Sequence, residues 1–200
     1  MLTDDEPEVK NAAINSLCKS LQNLSTEKIC NILLPTIQST VTDGQVSFKA
    51  GVALALCEMA PIVGKSYCIS TVMPILLELL KEANSEVRHN VVSNMIKLAD
   101  VVGGELLSPN LLTLLTTLTK DAQWRVRMAI FELIGELSVA FGIEIFQRSL
   151  EPIFMQYMTN TAASVRNMGV TKSAALAKAF GPDWVIANFV PKVIDSYNID

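Results

Sequence analysis

Apolar positions in this chain recur at offsets 0, 5, 8 and 15 from five valines: Val9, Val46, Val87, Val126 and Val165. Offset 5 holds Ile14, Gly51, Val92, Phe131 and Val170, and offset 8 holds Leu17, Leu54, Met95, Ile134 and Ser173. These offsets follow a period of 3.6, so each valine opens an amphipathic helix with one stripe turned to a core. Successive valines are spaced by 37, 41, 39 and 39. Pro35, Pro74, Pro152 and Pro191 keep a spacing of 39, doubled once, and Thr113 stands in the slot that the doubled gap skips. A period near 40 that carries two helix-sized apolar segments marks paired helices stacked in sequence order.

The first helix of each pair reads from segments such as CISTVMPILLELLKE and FQRSLEPIFMQYMTN. Its proline sits about a turn inside, where it removes a backbone donor and should bend the axis, except where Thr113 replaces it. Gly103, Gly142 and Gly181 stand at offset 16 from the last three valines, as helix-ending glycines do. Polar turns (TDGQ, KEANSE, KDAQWR, TNTAAS) join the two helices of a pair. The pattern predicts helices at about 27–41, 45–62, 68–82, 86–102, 108–120, 124–141, 147–159, 164–180 and 184–197. The expected architecture is all-α, a right-handed superhelix (solenoid) of antiparallel helix pairs. It divides into a half repeat 1–25, full repeats 26–64, 65–104, 105–143 and 144–182, and a half repeat 183–200. That phase suggests a single array cut from a longer one. Leu17, Leu21, Val190 and Ile194 would then lie on end faces that favour self-association.

Composition narrows the functional classes. Half of the residues are apolar, 18% are charged and the net charge is −4, a poor match to the clustered cations of a nucleic-acid groove. Polar residues interrupt every apolar run before it reaches membrane-spanning length, and the acidic start MLTDDEPEVK does not resemble a signal peptide. Cys18, Cys30, Cys57 and Cys68 show no metal-binding spacing and read as small buried hydrophobes of a reduced compartment. The lone His89 cannot make a metal cluster or an evident triad. Gly103-Gly104 and Gly142 form no phosphate loop. Glu132, Glu136 and Glu144 read as solvated helix faces, and the methionines fall in apolar stripes. No cofactor, no catalysis, and no nucleic-acid or membrane partner are expected.

Trp124 breaks the repeat. It stands two residues before its valine, where the other repeats carry Pro7, Gly44, Ser85 and Ala163. A side chain required by the fold would recur at that offset. The indole either folds back onto the next turn or stands exposed beside Arg125 as an interface anchor, the pair of residue types that dominates protein interfaces.

The period, the first-helix proline and the D-x-x-x-x-V-R pattern of Asp121 to Val126-Arg127, with Asp4 to Val9-Lys10, resemble HEAT repeats. The stretches EVRHNVVSNMIKL, KDAQWRVRMAIFELIGELSVAFGIEIF and FGPDWVIANFVPKV are similar to the scaffolding A subunits of serine/threonine protein phosphatase 2A. The resemblance runs over most of the chain and is weakest between Lys28 and Ser70. It implies a non-catalytic scaffold that holds a phosphatase catalytic subunit and a B-type regulatory subunit through its intra-repeat turns, in the cytoplasm and also in the nucleus. Gln123, Trp124 and Arg125 match a catalytic-subunit turn, while Ala163 departs from the aromatic expected one repeat later. Glu6, Pro7 and Glu8 would border the regulatory-subunit region. Asp4, Asp121, Arg88, Arg127 and Arg166 match a ladder of ion pairs along the turns, with Ser47, Glu82 and Asn160 as substituted rungs. Such exposed pairs are worth about 1 kcal/mol or less each. Trp184 is expected to pack between repeats. The alternative is a HEAT-repeat nuclear transport receptor that binds cargo and a small GTPase.

Overall fold

A computed structural model describes residues 6–43 and 46–197. Among them are helices and no strand, so the all-α expectation holds. The helices are α1 (Pro7–Ser20), α2 (26–43), α3 (46–63), α4 (65–79), α5 (85–102), α6 (Pro109–Leu118), α7 (124–141), α8 (143–158), α9 (Ala163–Phe180) and α10 (182–197). The chain divides into two compact units, Met1–Leu114 and Leu115–Asp200.

Repeat corners follow from glycine. Gly64, Gly103, Gly142 and Gly181 have φ of 77°, 66°, 78° and 91°. With ψ of −177°, Gly142 lies in a region essentially closed to residues with a Cβ, and it separates α7 from α8 within one hydrogen-bonded run. Gly64 was not anticipated, because Val46 opens its helix two residues early. Counted from glycine to glycine, the four corners keep one constant spacing, more regular than that of the valines.

Proline shapes the first helix of each pair more specifically than a bend. In α2, α4, α8 and α10 a five-residue π-helical turn ends two residues before the proline: Ile29–Leu33, Cys68–Val72, Phe146–Leu150 and Val185–Phe189. The residue just before each proline donates its N–H to a carbonyl five residues back, as Met73 does to Cys68. The pyrrolidine ring collides with the carbonyl four residues behind it, and the wider turn relieves that collision. In α6, where Thr113 holds the slot, the helix stays regular and the Thr113 hydroxyl donates to the Pro109 carbonyl at 2.8 Å.

The second helix α5 is less regular than predicted. A 3-10 stretch, Met95–Leu98, interrupts it. The Asn90 and Asn94 amides donate to the Glu86 and Asn90 carbonyls, competing with the helical ladder just before the break.

In the first unit α3 packs between α1 and α5, so second helices stack in sequence order. A Cβ at Gly51 would stand 2.6 Å from Ile14 Cδ1, which shows how closely α1 and α3 approach. Leu56, Met59, Leu76, Leu79 and Leu98 are fully buried there. Burial of each such side chain contributes about 1.5–3 kcal/mol. Cys57 and Cys68 belong to this core, and burial pushes their thiols up to about 12 and about 11. Leu21 is buried rather than open, contrary to the expectation of an end face. One correction concerns length: the stretch Phe48–Leu79 does contain a window long and apolar enough to cross a membrane. Its helix is broken at Gly64, and half of that window is buried within the protein.

In the second unit α7 packs on α9. Aromatic rings build the centre. Phe146 meets Phe154, Phe180, Trp184 and Phe189 at 5.5–6.2 Å between ring centres, and Phe131 stacks on Tyr157 at 4.3 Å. Trp184 presents an edge-on ring to Phe180 at 5.2 Å, the packing role expected of it. Val190 and Ile194 are exposed.

Ion pairs join segments about one repeat apart: Lys49–Glu82, Lys97–Glu58 and Lys65–Glu105 in the first unit, and Lys192–Glu151 in the second. Lys192 reaches both oxygens of the buried Glu151 at 2.8 Å. These lysines were invisible to a search built on Asp and Arg.

Two substitutions test these roles by chemical denaturation. Gly142→Ala forces a Cβ into its closed region and should cost about 1–3 kcal/mol. Lys192→Met strands the buried Glu151 carboxylate and should cost about 1–3 kcal/mol, whereas Lys65→Met, in an exposed pair, should cost less than about 1 kcal/mol.

Candidate partner-binding surface

The turn that carries Trp124 is built from its neighbours upward. α6 ends at Leu118, and Asp121 then accepts the Gln123 N–H at its Oδ1, at 2.8 Å. That bond closes an Asx turn and holds Gln123 extended at the start of α7. From the first turn of α7, Arg127 reaches back and donates to the Asp121 and Ala122 carbonyls, at 2.5 and 3.2 Å. Carbonyls at a helix end lack partners in the helix, and the guanidinium supplies two donors at once.

The same device recurs. Arg166 donates to the Asn160 and Thr161 carbonyls, both at 2.7 Å, and Arg88 to those of Glu82 and Ala83. Asn160 Oδ1 accepts the Ala162 N–H at 2.9 Å, repeating what Asp121 does. The arginines expected in an ion-pair ladder close their own turns through backbone carbonyls. Asn160, read from sequence as a broken rung, is an intact part of its corner, because the job needs an acceptor and no charge. Glu82 departs from the pattern by pairing with Lys49 at 2.6 Å. Tyr157 ties the frame together from α8. Its hydroxyl donates to the Arg127 carbonyl at 2.9 Å, and burial raises its titration well above the usual phenol range, with Arg127 opposing.

On this rigid corner the indole of Trp124 is 59% exposed, and the Arg125 guanidinium lies 5.7 Å from its ring centre. That separation suits a cation–π contact, which orients both side chains outward together. Asp121, Gln123, Trp124, Arg125 and Arg127 thus share one turn. Glu6 and Glu8 are exposed at the start of α1, in the first unit. The side chain of Pro7, and Asp4 altogether, lie outside the described residues. His89 is half-buried near the start of α5, and Ala163 is exposed as the first residue of α9.

A feature missed in the sequence lies beside the Trp124 turn. Thr119, Lys120, Gln156, Tyr157, Thr159, Asn160 and Thr161 line a groove of about 470 Å³. Two successive corners form it, and polar turn residues that differ between repeats leave no periodic signal.

The described residues, all helical and with second helices stacked within each unit, define a HEAT-like helical segment. Residues 65–180 match the family described as PIK3R4-like, middle domain, a HEAT-like helical region. The chain belongs to that family. No curated protein matches it. The match agrees with the HEAT resemblance and names a different family from the phosphatase scaffolding subunits.

The role of Asn160 in its corner is open to direct measurement. Asn160→Asp keeps the acceptor and should leave stability within about 0.5 kcal/mol, while Asn160→Ala should lose about 1 kcal/mol in denaturant unfolding.

Proposed function

We propose that this chain is a non-catalytic scaffold segment that holds other proteins at its intra-repeat corners. The observation that carries the reading is the outward-facing Trp124, paired with Arg125, on a turn whose backbone is fastened by Asp121 and Arg127. Trp and Arg are the side chains most enriched where interfaces concentrate their energy. A fastened turn loses little conformational entropy on binding. The stacked second helices within each unit support a solenoid, in which small rotations between neighbours add up to changes in curvature. Holding two proteins on one array raises the effective concentration of each near the other.

Two client classes have specific support. The stretch KDAQWRVRMAIFELIGELSVAFG resembles phosphatase scaffolding subunits. That favours binding of a serine/threonine phosphatase catalytic subunit by Gln123, Trp124 and Arg125, and of a regulatory subunit by Glu6, Pro7 and Glu8. The family match favours instead a scaffold of a phosphoinositide 3-kinase complex. Either client is consistent with residence in the cytoplasm.

Titration of the chain against a phosphatase catalytic subunit, and separately against a phosphoinositide 3-kinase catalytic subunit, distinguishes the two. The client that binds should lose about 30-fold or more in affinity with Trp124→Ala, equivalent to about 2 kcal/mol, with circular dichroism unchanged. Equal affinity for the parent and the variant would remove Trp124 from the interface.

A further inference from the structure

We infer that the groove between the 119–121 and 156–161 corners docks a carboxylate-bearing, extended segment of a protein partner. The inference rests on reading the corner side as the partner-facing side, and names the chemistry that this part of it accepts. Donors and acceptors around the groove are unequally committed. Several acceptors on the lining residues are already bonded within the protein. The Thr119 hydroxyl donates to the Thr116 carbonyl at 2.7 Å and lies 2.9 Å from the Gln156 amide, and Asn160 Oδ1 accepts the Ala162 N–H at 2.9 Å. The Asn160 and Thr161 carbonyls are taken by Arg166.

Donors remain. Lys120, Asn160 and Thr161, which carry an ammonium, an amide NH2 and a hydroxyl, are among the residues that line the same space, and none of its lining residues is an Asp or Glu. Lys120 is exposed, and none of the ion pairs formed among the described residues uses it. A surface of this kind matches a ligand rich in acceptors and negative charge. It does so on a chain of net charge −4, which otherwise repels acidic segments and so confines their binding to such a site.

The test is fluorescence anisotropy of a labelled, unstructured glutamate-rich peptide against the whole chain at low salt, beside its glutamine counterpart. The glutamate peptide should bind at least about tenfold more tightly, and added salt should weaken it. Lys120→Glu should reduce that affinity about fivefold or more. Asn160→Asp, which keeps the turn and replaces an amide donor with a carboxylate, should reduce it in the same direction. Equal binding of the two peptides, no binding of either, or full affinity in both variants would overturn the proposal. Trp124→Ala should leave peptide binding intact, so failure of the scaffold reading shows in client titrations while failure of the groove shows here.

Discussion

Everything in this chain depends on satisfying backbone groups where helices end. Each repeat reverses direction twice, and each reversal strands carbonyls and N–H groups that an uninterrupted helix would pair. The chain meets that demand with a small set of parts. A guanidinium closes the carbonyls of the polar turn, at Arg88, Arg127 and Arg166. An Asp or Asn oxygen collects a free N–H, and a glycine in a conformation closed to other residues makes the other corner. With the corners set, the apolar stripes of successive second helices face one another, and the aliphatic and aromatic cores follow. The exposed indole is useful because the turn beneath it is fixed.

Proline adds a second constraint inside the helices. Four first helices carry a π turn just before proline, and the one with Thr113 does not. That internal comparison assigns the π turn to the imino ring rather than to position in the repeat. Such wide turns leave one helix slightly out of phase with an ideal one, which re-aims the residues after the proline against the neighbouring repeat.

Much of this was legible in the residues. The valine and proline spacing placed most helices within a few residues of where they lie. The aperiodic position of Trp124, where no other repeat has an aromatic, agrees with its exposure, and Trp184 packs among rings at a helix start. What the sequence did not disclose depends on partners distant in the chain or on backbone geometry. Gly64 hid behind a two-residue shift in its valine. The Lys–Glu pairs join residues 33 to 41 positions apart, too loosely periodic to stand out. Asn160 looked like a lost charge because side-chain identity says nothing about which atom is used. The groove beside Lys120 exists only where two corners approach, so no single segment announces it. The apolar window in Phe48–Leu79 shows the reverse case, in which composition alone passes a membrane test that the break at Gly64 divides.

A scaffold role stands most directly on the indole at position 124 being presented to solvent by a fastened turn and then covered by a client. Tryptophan emission from a Trp184→Phe protein isolates that single indole. The expected signal is a solvent-like emission maximum, open to acrylamide quenching, that shifts to the blue and becomes protected on addition of the client that the chain binds. A blue, quencher-resistant signal in the free chain, or an unchanged signal in the complex, would contradict it.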